Sequence, residues 1–199
     1  MSESFVIENE TFINLLSDLK LDGYTASANA QALLNTEVRY IKDLKINTGN
    51  VLNNTQYLNR KEAVLLALAT AVNEKYKPLT RSFTAMAEEA GATQAEIAEI
   101  IAAVSLMNTN NVFYRFRHFM QKEFYSNQPA GIKMSIMVNP VLGKEFFELT
   151  SLVVSALNGC EMCVTSHEQS VINHGGSQQK IFEAVKLGAV IKGLISVLA

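Results

Sequence analysis

The chain has 199 residues, 48% of them hydrophobic and 18% charged, with a formal net charge of −2. That composition supplies a sizeable core for one domain, carries too little charge for a disordered chain, and shows no basic patch, so nucleic acid is not an expected partner. The acidic opening "MSESFVIENETF" lacks the basic-then-apolar order of a signal peptide, and the apolar runs "LTSLVVSAL" and "LGAVIKGLISVLA" are too short or too interrupted to span a bilayer, so a soluble cytoplasmic protein without a membrane partner is expected.

Strand-like alternation is hard to find and helical periodicity is easy to find, which predicts an all-α chain. Amphipathic helices are expected over about 11–19 and 27–45. "NRKEAVLLALATAV" follows, with Asn59 as N-cap and Glu62 three residues on. Pro78 suits the first turn of the next helix, which Gly91 closes. "TQAE" at 93–96 is a capping box, and "NNVFYRFRHFMQKEF" reads as a further helix, with "YSNQPAG" at 125–131 as the clearest loop. A helix from about 143 to 157 ends at the turn signal Asn158-Gly159, and Ser177 is placed to cap the last helix after Gly175-Gly176.

A weak internal repeat runs through this order. "GATQAEIAEIIAAV" at 91–104 resembles "GGSQQKIFEAVKLGAV" at 175–190, and a helix beginning Lys-Glu precedes each, at 61–62 and 144–145. The expectation is that residues of about 59–107 superpose on 143–191. The first copy has "NEKYKPLT" where the second has the only two cysteines, in "ALNGCEMCVTSHEQ" at 156–169. The last helix, "KIFEAVKLGAVIKGLISVLA", is apolar on more than one face, which suggests cover from a second subunit and hence a homo-oligomer.

On a helix, Cys160, Cys163 and His167 fall at i, i+3 and i+7, one face. A Cys-x-x-Cys at a helix start can close a disulfide within a turn, and the amide groups there favour the reactive thiolate. Glu148 lies about as far before the Asn158-Gly159 turn as His167 lies after it, so antiparallel helices bring the two to one height. A lone carboxylate in the apolar helix "FFELTSLVVSAL" needs a partner, and His167 is the obvious one. A carboxylate orienting an imidazole that deprotonates a thiol activates a nucleophile, and a second thiol can resolve the resulting sulfenic acid. The candidate catalytic residues are Cys163, Cys160, His167 and Glu148. Cys163, nearer the Glu148–His167 pair, is assigned the role of attacking thiol; Cys160 is assigned the resolving role, facing a partner. The helix-terminus argument by itself favours Cys160 as the thiol of lower pKa.

A glutamate, eleven residues, Cys-x-x-Cys, three residues and a histidine together resemble the signature of the alkylhydroperoxidase D (AhpD) family, within the carboxymuconolactone decarboxylase superfamily. "YIKDLKINTGNVL" at 40–52 and "MNTNNVFYRFRHF" at 107–119 are similar to the family's N-terminal half, so the resemblance covers roughly 38–199. It implies one AhpD-like all-helical domain over 1–199. Within it, 1–37 would be an N-terminal helical extension, 38–125 a cysteine-free first half and 132–199 the half with the redox motif. It also implies a homotrimer, a thiol-dependent hydroperoxide or disulfide reductase without haem, flavin or metal, a peroxiredoxin of the AhpC type as partner, and a dihydrolipoamide-type reductant. Many family members place a histidine directly before the second cysteine; here that residue is Met162.

Other readings of the same residues are a pair of inert buried cysteines, a zinc site of Cys160, Cys163, His167 and Glu148, a redox-sensing module without turnover, and a decarboxylase-like enzyme acting on small lactones, against which the cysteine pair argues. His118 and His174 read as surface residues, Arg115 and Arg117 as a helix face or subunit contact, and Met120, Met134 and Met137 as core filling.

Overall fold

The structure is a computed structural model that describes residues 5–36 and 38–199. Among the described residues there is no strand, and the chain forms ten α-helices and one 3-10 turn. They are α1 (Glu10–Asp18), α2 (Ala28–Asn35), α3 (Tyr40–Asn53), α4 (Arg60–Asn73), α5 (Lys77–Glu89), α6 (Gln94–Met120), α7 (Glu123–Asn127), the 3-10 turn Ser135–Met137, α8 (Lys144–Leu157), α9 (Glu161–Asn173) and α10 (Gln178–Leu198). The caps read from the sequence form: Asn59 with Glu62 and Thr93 with Glu96 make reciprocal capping boxes, and Ser177 accepts from the Lys180 amide.

Three expectations change. The single helix expected over 27–45 is two helices, α2 and α3. Thr36 is the C-cap of α2, and its hydroxyl donates to the Ala32 carbonyl at 2.8 Å. Residues 1–4 and 37 of the expected N-terminal extension lie outside the described residues. The two helices expected across 94–124 are one continuous α6 up to Met120, since no Gly or Pro interrupts it, and the short α7 occupies the start of the expected 125–131 loop. Finally, much of the cover that α10 was expected to take from a second subunit comes from the chain itself, through α2, α3, α4 and α8, while Phe182 is left exposed.

The repeat is in strict register. Arg60 corresponds to Lys144, Lys77 to Glu161 and Gln94 to Gln178, a constant offset of 84 residues that carries α4-α5-α6 onto α8-α9-α10. The connections match as well: Lys75 (φ 59°) corresponds to Gly159 (φ 68°), and Gly91 (φ 85°) to Gly175 (φ 91°). The nearly all-buried helices α4 and α8 pack against each other at the centre, with α10 on α4 and α6 on α8.

Ion pairs obey the same symmetry with their signs exchanged. Lys61 pairs with Glu96 at 2.7 Å; their counterparts are Glu145 and Lys180, at 3.0 Å. Lys180 also reaches Glu62 of the first half at 2.6 Å. Burial alone would depress the Lys180 ammonium, but the hydrogen bonds from Glu62 and Glu145 outweigh it and hold its pKa above the usual lysine value.

The offset shows what the first half has in place of the redox residues. Glu148, Cys160, Cys163 and His167 correspond to Val64, Tyr76, Leu79 and Phe83. Val64, Leu79 and Phe83 are fully buried core. Tyr76 donates to the Leu198 carbonyl at 2.9 Å, and burial, aided by Tyr24, pushes its phenol up to about 12, so it stays a neutral donor. At these positions the second half carries titratable side chains and the first half mainly apolar packing.

Candidate active site

The site sits where α8 and α9 fold back on each other. Gly159, in the left-handed region that glycine tolerates, makes the turn after α8, and the Cys160 amide donates to the Ser155 carbonyl at 3.0 Å. Cys160 is thereby pinned as the N-cap of α9. Cys163 follows within the first turn, and the two sulfurs lie at bonding distance, 2.12 Å, with Cα atoms 5.3 Å apart.

His167 and Glu148 meet as the hairpin spacing requires. His167 Nδ1 lies 2.6 Å from Glu148 Oε2, with the residues only 9% and 6% exposed. An ionised carboxylate can only accept, so Nδ1 carries the proton and donates, leaving Nε2 as the nitrogen that can take one. Burial strengthens this charge-assisted bond, and either partner alone would be left unpaired there. His167 stands four residues after Cys163, the spacing at which helix side chains are neighbours.

Cys163 and His167 line one side of a cavity of about 350 Å³, whose other walls are Asn110, Tyr114, Met134, Met137, Met162 and Ser166. Cys163 is 7% exposed and Cys160 1%. The expectation that Cys160 faces a partner is therefore not met in the disulfide form: its bond to the end of α8 tucks it under that helix, and Cys163 is the sulfur that borders open space. Met134 departs from its expected place as core filling and lines the cavity wall from the segment after α7, whereas Met137 lines that wall and also packs against the core as expected. A segment without periodicity gives no means of aiming a side chain, which is why their role was not legible. Asn110 and Tyr114 were also missed. Their signal was a polar residue in the buried stripe Ile100, Val104 and Met107 of α6.

Behind the turn lies a relay of amides. Asn108 donates to Asn73 at 3.0 Å, Asn73 to Asn158 at 3.0 Å, Asn158 to Asn111 at 2.9 Å, and Asn111 to Ser155 at 2.9 Å. Arg115 adds a bond to the Asn158 carbonyl, so it acts as a cap on α8. Side chains from α4 and α6 thus fix the residue two before Cys160. His118 is a partly exposed side chain 3.9 Å from Glu161, and His174 is exposed at the end of α9. Among the described residues no three His, Cys, Asp or Glu side chains are grouped as a metal ion would need. No helix among them is long and apolar enough to cross a membrane.

Comparison with known proteins gives the setting for this geometry. Residues 126–199 match the carboxymuconolactone decarboxylase family. The chain is 39% identical over 159 residues to the alkyl hydroperoxide reductase AhpD of Rhizorhabdus wittichii, covering 79% of this chain and 90% of that protein. It is 36% identical over 169 residues to the AhpD of Maricaulis maris, covering 84% and 96%. In fold it is similar to a crystal structure described as a gamma-carboxymuconolactone decarboxylase subunit from Burkholderia xenovorans, with a TM-score of 0.63 over 94% of this chain and 93% of that one, at 16% identity.

Proposed function

The chain belongs to the AhpD family of the carboxymuconolactone decarboxylase superfamily, and from that premise we propose that it is a thiol-dependent hydroperoxide reductase whose Cys163 is activated by the Glu148–His167 pair. The observation that carries the reading is the buried 2.6 Å bond from His167 to Glu148 beside a cysteine pair that borders a cavity.

In the reduced enzyme the Cys163 thiol gives its proton to His167 Nε2, and Glu148 stabilises the imidazolium. The thiolate attacks the distal oxygen of a hydroperoxide. A sulfur–oxygen bond forms, the oxygen–oxygen bond breaks, and the departing alkoxide takes the proton from His167 and leaves as an alcohol. Cys160 then attacks the sulfenic sulfur, water leaves, and the Cys160–Cys163 disulfide closes. A dithiol returns the pair to its reduced state by exchange through a mixed disulfide.

The resemblance supports a dihydrolipoamide-type dithiol as reductant and an AhpC-type peroxiredoxin as partner, with disulfide reduction in that partner as the companion activity. It also supports reading 1–199 as a single domain with halves at 38–125 and 132–199, working in the cytoplasm as a homotrimer. Val112, Phe116 and Phe119, exposed on one face of α6, are side chains that further copies would cover.

The test is a peroxidase assay with a dithiol reductant on wild type and each Cys→Ser variant. Turnover lost in both variants supports the proposal. Turnover retained without either thiol refutes it.

A further inference from the structure

Of the polar side chains on the cavity beside Cys163 that the chemistry above does not use, Asn110, Tyr114 and Ser166, the asparagine is the one with a buried, unpartnered atom among the described residues. Asn110 lies on α6, one turn before Tyr114, and is 6% exposed. Its Nδ2 is 3.3 Å from the Met134 sulfur, a weak acceptor, and its Oδ1 is buried with no hydrogen-bond partner among the described residues. Its neighbours in sequence are different: Asn108 and Asn111 are engaged at both ends in the amide relay behind the turn. A leucine of similar size would suit the apolar stripe of α6 and spare the cost of an unpaired amide oxygen, so the asparagine calls for a partner that the resting protein does not supply. The rest of the wall is Tyr114, Ser166 and three thioethers, Met134, Met137 and Met162.

We propose that Asn110 is a positioning residue for the hydroperoxide, an inference that rests on the reading of this site as a hydroperoxide reductase. The amide oxygen accepts the hydrogen bond of the peroxide O–H and turns the distal oxygen toward the Cys163 thiolate, while the organic part of the substrate lies on the methionine wall. An amide suits this task because it accepts a hydrogen bond without titrating, so it does not compete with His167 for the thiol proton. Met134, unbranched and free to change rotamer, swings off the amide to admit the substrate. The attack itself is as given above: the sulfur–oxygen bond forms, the oxygen–oxygen bond breaks, and His167 protonates the alkoxide.

The experiment compares fully reduced wild type, Asn110→Leu and Asn110→Ala in single-turnover reaction with tert-butyl hydroperoxide and with iodoacetamide, a thiol probe that presents no peroxide O–H. Both variants are expected to lose about tenfold or more in the hydroperoxide rate, the effect of one lost hydrogen bond. Their iodoacetamide rates and the pH profile of that reaction are expected to match wild type. Asn110→Ala carries the comparison should Asn110→Leu fold poorly by its melting curve. Hydroperoxide rates equal to wild type in the variants overturn the proposal, as does an equal loss with both probes, which would make Asn110 a support for the thiol or the fold. Wild type that reacts with iodoacetamide but not with hydroperoxide overturns the reductase reading itself, and the proposal with it.

Discussion

Glu99 and Glu183 are counterparts that each clamp the opposite half of the molecule. Glu99, on α6, accepts from the Val141 and Leu142 amides, both at 2.7 Å, just before α8. Glu183, on α10, accepts from the Gln56, Tyr57 and Leu58 amides at 2.9, 2.8 and 3.3 Å, just before α4. Tyr57 and Leu58 correspond to Val141 and Leu142 under the repeat, so one interaction is made twice across the pseudo-symmetric core. Such a pair fixes the entry of both central helices, one of which carries Glu148.

Burial works against ionisation of Glu183, but the backbone donors outweigh it and hold its carboxyl below the usual glutamate range. A depressed folded-state pKa stabilises the fold above the unfolded value of about 4.3, and that contribution is lost as pH falls through the folded value. Glu183→Gln is expected to cost about 1–3 kcal/mol at pH 7 and to flatten the acid limb of stability. Urea melts of both proteins at pH 7 and pH 4 check this: an unchanged difference between the two pH values would remove Glu183 from the account.

The two thiols should divide their roles by access. Cys163 borders the cavity and Cys160 is tucked under α8. Cys160→Ser is expected to consume one equivalent of hydroperoxide and leave a sulfenic acid on Cys163 that dimedone traps, whereas Cys163→Ser should give no adduct. An adduct on Cys160 in the Cys163→Ser protein, with none in the converse, would reverse the assignment.

Met162 stands directly before Cys163, where the family resemblance leads one to expect histidine. It is 39% exposed and borders both the cavity at Cys163 and the outer groove of α9 that His118 lines. A thioether carries no proton, whereas imidazole does near neutral pH. Met162→His is expected to raise the rate of thiolate reaction at pH 7 by about tenfold, below the ~100-fold floor of general-base help because His167 already serves. A stopped-flow rate equal to wild type would mean that the Glu148–His167 pair suffices.

Much of the frame was legible because local chemistry decides it. Asn59, Thr93 and Ser177 announce helix starts, Gly91, Gly159 and Gly175 announce stops, and the one-face spacing of Cys163 and His167 survives into α9, with Cys160 as its N-cap. The hairpin about Asn158-Gly159 was readable too, which is why Glu148 and His167 could be paired. What was not legible depends on tertiary aim. A helix that periodicity continues ends instead at Thr36, the C-cap of α2. Met134 and Met137 reach the cavity from a segment with no period. The asparagines of "MNTNN" look alike in sequence, yet three-dimensional placement sends Asn108 and Asn111 to the turn and Asn110 to the cavity.

The relay is tested most directly by the single-turnover rate of reduced enzyme with a hydroperoxide in wild type, Glu148→Gln, His167→Gln and the double variant, with circular dichroism to establish that each is folded. General-base help is worth ~100- to 10,000-fold, so each single change should cost a factor in that range. Because both residues act through one proton path, the double variant should be no slower than the more damaged single variant by more than a few-fold. Rates at the wild-type level in both single variants, or losses that multiply in the double variant, would contradict the account.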